Sequence, residues 1–147
     1  MTANTAPRYT VVGDNASNAA TGMAPTLTTA AADFTGISTN NQLVFTAGTN
    51  GSRLIGIHFE AIGTNAASVA RVYINNGSAN TTAANNSLIG QLTLPATTTS
   101  AVAAVGSADF YFPNGALDLD ISYRIYVGLG TTVAAGWVPT PTQGGDF

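Results

Sequence analysis

Cysteine and lysine are absent from this 147-residue chain, histidine occurs once, and only eleven residues carry formal charge. Each absence removes a class of chemistry. Without cysteine there is no disulfide framework, no thiolate metal centre and no sulfur nucleophile. The four cations, Arg8, Arg53, Arg71 and Arg124, are scattered along the chain. They cannot form the clustered basic footprint that nucleic-acid binding needs. No apolar run approaches the ~18 residues of a membrane helix. The opening MTANTAPRYT has no apolar signal core, so the expectation is a protein made in the cytoplasm with no membrane partner.

What fills the space is neutral. Ala, Thr, Gly and Asn supply about half the residues, and charged residues are 7% of the chain against the ~25% usual for a soluble domain. Copies of such a chain repel one another weakly, and solubility rests on hydroxyls and amides. That surface suits packing against other protein. The length fits one domain that buries a core without metals or bridges.

Apolar alternation of period two starts near residue 42. It predicts strands at QLVFTA (42–47), RLIGIHFEAI (53–62), SVARVYI (68–74), LIGQLTL (88–94), ADFYF (108–112), LDISYRIYVGL (119–129) and GWVP (136–139). Turn signals separate them every 8–14 residues. Such spacing indicates an all-β, antiparallel β-sandwich, with a jelly roll of about eight strands as the expected winding. Three regions follow: an N-terminal arm (1–33), partly extended; the sandwich (34–136); and a C-terminal tail (137–147).

Candidate chemistry is sparse. If 53–62 and 68–74 form one hairpin, register sets Glu60 opposite Arg71 and His58 opposite Tyr73. The pattern then reads as a structural ion pair, with a catalytic His–Glu pair as the sharper alternative; no nucleophile accompanies it. Asp118 and Asp120, with Asp109 and Asn114 nearby, offer oxygens to calcium, but no EF-hand spacing follows. The expectation is therefore no catalytic residue, no metal and no cofactor. Tyr73, Tyr111, Tyr126 and Trp137 offer rings for an aromatic sugar platform, although aromatic residues in so small a core more often serve packing, and Trp137 beside Gly136 and Pro139 reads as an anchor for the tail. Arg8 and Tyr9 at one end, and Trp137 and Phe147 at the other, are the residues placed to reach a partner.

A set of strand-and-turn phrases carries a resemblance: IGIHFEA (55–61), ARVYINNG (70–77), AANNSL (83–88), LTLPAT (92–97), YRIYV (123–127), AAGW (134–137) and the closing GGDF (144–147). Residues 53–147 thereby resemble small virion-associated structural proteins of tailed bacteriophages. The resemblance implies a non-enzymatic capsid cement or decoration protein, working as a homo-oligomer with a trimer favoured. Its implied partner is the major capsid protein and its implied location the virion. The alternative is a carbohydrate-binding module of a tail fibre or baseplate, which requires exposed aromatic rings.

Overall fold

A computed structural model describes residues 25–31 and 33–142 of the chain, and the backbone of 145–146. The described residues form an antiparallel all-β fold with no α-helix. The strands are β1 (Gln42–Thr46), β2 (Ser52–Leu54), β3 (Gly56–Ala61), β4 (Ser68–Asn75), β5 (Asn86–Leu94), β6 (Ser107–Tyr111), β7 (Leu117–Leu119), β8 (Arg124–Leu129), β9 (Trp137–Thr142) and β10 (Gly145–Asp146). They hydrogen-bond in the orders β1-β8-β4-β5, β6-β3-β9 and β10-β2-β7. Inward residues from all three groups meet in one core, including Val44, Ile57, Phe59, Val72, Ile125, Val127 and Trp137, with Leu54 and Leu119 from β2 and β7. Each buried large apolar side chain contributes about 1.5–3 kcal/mol. The antiparallel sandwich expected from alternation is what forms; jelly-roll winding is a finer statement than this pairing makes.

Three local expectations are corrected. The run 53–62 is two strands, because the chain leaves one sheet after Leu54 and enters another at Gly56. The run 119–129 is likewise two strands. Residues 120–123 form a turn closed by the Tyr123 amide donating to Asp120 O, with Ser122 at φ 64. Ile121, expected inward, is exposed. Finally, β3 and β4 do not pair: β3 lies between β6 and β9, and β4 between β8 and β5.

Residues 25–31 and 33–41 run along the sandwich and across the outer face of the four-stranded sheet. Leu27 exchanges both backbone hydrogen bonds with Trp137, at 2.8 and 3.0 Å, and enters the core. The Ala31 amide donates to Leu129 O (2.7 Å), and Arg71 Nη1 donates to Ala31 O (2.9 Å). Phe34 stacks on the Arg71 guanidinium at 4.1 Å, and Tyr73 Oη donates to Asp33 O. The expected arm is thus a strap on its own domain from residue 25 onward. Gly128 fits beneath it: a Cβ there would meet the Asn41 side chain and come within 2.9 Å of Ala31 Cβ.

The far end is held by one amide. Asn65, buried in the loop between β3 and β4, donates from Nδ2 to Gly136 O (3.0 Å) and Gly63 O (3.2 Å). Its Oδ1 accepts from the Ala135 and Gly136 amides (2.9 and 2.7 Å). Thr97 completes the cluster by donating to Gly63 O. Four further asparagines brace the loop between β4 and β5. Asn75 and Asn76 pair side chain to side chain with Asn86 and Asn85, and the last two also donate to Asn80 O and Ala79 O.

The expected tail begins with an integral strand. β9 lies against β3, and its Pro139 and Pro141 stand opposite Phe59 and Ile57. Trp137 turns its backbone groups away from β3 toward Leu27, so Pro139 and Pro141, in the same phase, set their missing N–H on the outer edge. That placement is the one a sheet tolerates for proline.

Two outcomes follow. Asn65→Ala leaves the Ala135 and Gly136 amides without their acceptor and is expected to lower stability by about 2–4 kcal/mol. A thermal midpoint lower by roughly 4–15 °C would register it; a loss under about 1 kcal/mol would mean water replaces the amide. Gly128→Ala is expected to lift the strap, read as faster hydrogen exchange at the Ala31 amide while the Val72 amide stays protected.

Candidate functional site

The outer face of β6-β3-β9 gathers the most concentrated chemistry among the described residues. Alternation turns Ile57, Phe59 and Ala61 inward and Gly56, His58 and Glu60 outward. On β6 the outward residues are Ser107, Asp109 and Tyr111; on β9 they are Val138, Thr140 and Thr142. Register aligns them in three rows: Tyr111–Gly56–Thr142, Asp109–His58–Thr140 and Ser107–Glu60–Val138.

The spacing across β3 and β6 explains the central contact. The Ala61 amide donates to Gly106 O and the Phe112 amide to Ile55 O, so the odd-numbered backbone groups of β3 face β6. His58 and Asp109 are therefore a non-hydrogen-bonded pair, the closer of the two antiparallel kinds, with Cα atoms about 4.5 Å apart. His58 Nδ1 lies 2.7 Å from Asp109 Oδ1, and Nε2 lies 3.2 Å from Glu60 Oε2. Both neighbours accept only, so a doubly protonated ring donates to each, whereas a neutral ring would turn a lone pair toward a carboxylate. The hydrogen bond that His58 donates to Asp109 raises the His58 pKa above its ordinary value; partial burial opposes this and Glu60 adds to it. With both nitrogens occupied, the ring acts as a clamp between β3 and β6.

Glu60 thus serves His58 and not Arg71. The expected Glu60–Arg71 pair does not form because the two residues lie in different sheets, and Arg71 bonds the strap instead. His58 and Tyr73 are separated for the same reason. Asp118, weighed as a calcium ligand, makes a two-point ion pair with Arg53 at 2.7 and 2.8 Å. The Arg53 guanidinium holds the Asp118 carboxyl below the usual range. Asp120 accepts from the Ile121 amide and shapes the turn, and Asn114 occupies a left-handed turn position at φ 65. Asp109 is taken by His58. Among the described residues no three His, Cys, Asp or Glu side chains gather as metal ligands.

The four rings also part company. Trp137 is 0% exposed, so it anchors the core and does not face a partner; its indole N–H meets no acceptor among the described residues. Tyr73 is also 0% exposed, sealed under the strap, and burial pushes its phenol pKa up. Tyr126 is half-buried, and Tyr111 alone is well exposed, at 65%. A shared platform beside the 76–85 loop does not form. Arg8, Tyr9 and Phe147 lie outside the described residues. Comparison with protein-family models, curated proteins and solved structures returned no match for this chain.

The clamp makes stability depend on pH with a definite sign. A group whose folded pKa is raised contributes in full below its unfolded value, about 6.5 for histidine, and loses that contribution as pH rises through the folded value. The native thermal midpoint is therefore expected to fall, relative to His58→Gln, as pH climbs through that window. Because His58 is the sole histidine, its proton resonances titrate without ambiguity. Asp109→Asn is expected to move that titration to lower pH; an unmoved midpoint would remove Asp109 as its cause.

Proposed function

We propose that this chain is a non-enzymatic structural component of a tailed-bacteriophage virion, a decoration protein that binds the head shell as a homotrimer and reinforces it. The observation that carries the reading is β5. Among the described residues it is the longest strand and it ends its sheet, and its sequence NSLIGQLTL holds no charge and no proline. Soluble proteins ordinarily guard such an edge with lysine, proline or a bulge. β5 has one bulge, at Ile89, and the stretch 90–94 beyond it is regular. β9 by contrast carries two prolines on its edge.

An uncharged open edge pairs with an extended neighbour through main-chain hydrogen bonds. The Thr-, Ala- and Asn-rich surface around it gives up little charge hydration when covered. Symmetry then multiplies modest contacts into high occupancy. The commitment of both His58 nitrogens and the resemblance of residues 53–147 to virion proteins support the same reading.

Two measurements test it. Density of the intact particle is expected to place the chain on the head shell; a position at a fibre tip, or absence from the particle, would overturn the assignment. Gln91→Lys with Thr93→Lys charges two exposed positions of β5 and is expected to reduce shell occupancy without lowering the thermal midpoint. Unchanged occupancy would remove β5 as the contact.

A further inference from the structure

The upper row of the β6-β3-β9 face has features that the clamp does not explain. Gly56 and Tyr111 form a close cross-strand pair of the same kind as His58 and Asp109. Tyr111 Cδ1 lies 3.1 Å from where a Cβ of Gly56 would stand, and Thr142 Oγ1 lies 3.3 Å from the same point. The phenol ring therefore rests over bare glycine backbone, which supports it as aromatic residues support glycines elsewhere in sheets. With 65% of the residue still exposed, the ring has a supported side and an open one.

Polar groups stand beside that ring. Alternate residues on a strand are about 6.8 Å apart and neighbouring strands about 4.8 Å. The Asp109 carboxyl is thus one step along β6 from Tyr111, and the Thr142 and Thr140 hydroxyls stand across β3. Asp109 Oδ1 is held by His58, while Oδ2 has no partner among the described residues; Glu60 Oε1 is likewise open. The two threonine hydroxyls also have no partner there. The clamp fixes the Asp109 rotamer, so its free oxygen points from a defined place. The set is rich in acceptors: Asp109 and Thr142 flank the ring, and Thr140 stands about 12 Å off on the diagonal, a second sugar unit away.

We propose that this face is a binding site for a neutral saccharide. The apolar face of a pyranose lies on Tyr111, its rim hydroxyls donate to Asp109 Oδ2 and exchange hydrogen bonds with Thr142, and the next unit reaches Thr140. A ring stacked on tyrosine loses little side-chain entropy, and a carboxylate accepting from hydroxyls gives orientation. The site lies on a sheet face and uses no side chain of β5, so it stands or falls apart from the shell-binding proposal.

The test is a titration of the full chain with malto-, cello- and N-acetylchito-oligosaccharides at millimolar concentration, read on the Tyr111 ring and His58 imidazole resonances. At least one series is expected to shift both, saturably. Tyr111→Ala is expected to weaken that response at least about tenfold, Tyr111→Phe to keep it, and the β5 lysine variants to leave it unchanged. Circular dichroism checks that the alanine variant stays folded. No shift with any of the three series would overturn the proposal. So would an undiminished response in Tyr111→Ala, or a response to tetramethylammonium alone, which would make the ring a cation site.

Discussion

Asn65 decides where the last core strand begins. Its amide fixes the Ala135 and Gly136 backbone, and Trp137 follows directly. From that point Trp137 can fill the core, pair with Leu27 and bring the strap down over the four-stranded sheet. The same start sets the β9 register, which places Thr140 opposite His58 and Thr142 opposite Gly56. A neutral side chain suits this role. A buried amide with every bond made carries none of the desolvation cost of a charge. A chain with so few ionisable groups organises its buried polar positions with asparagine and threonine.

Much of the architecture was legible in the sequence, and the failures have a common cause. Period-two alternation located the inward residues of β3, β4 and β8, because a half-buried pleat requires it. Alternation says nothing about where a strand stops if polar and apolar residues keep alternating through the break. That is why 53–62 and 119–129 read as single strands, although Ile55 and residues 120–123 interrupt them. Pairing was less legible still. Strands adjacent in sequence tend to pair, and this prior suggested a β3–β4 hairpin; the chain instead crosses between sheets there.

The site was half legible for the same reason. His58 and Glu60, two apart on one strand, had to share a face. Asp109 is 51 residues from His58, and only the β3–β6 register brings it close. The importance of Gly56 was hidden too, since its role is set by a ring on another strand. The burial of Tyr73 came from the strap, whose docking depends on contacts with Arg71 and Leu129 that no local pattern announces.

Two of the end strands, β5 and β9, differ in what their backbones can exchange. β5 has no partner on its outer side among the described residues and can both give and take hydrogen bonds there, whereas at Pro139 and Pro141 β9 can only take. A strand added along β9 would find no donor at residues 139 and 141, so that edge offers only half of a ladder.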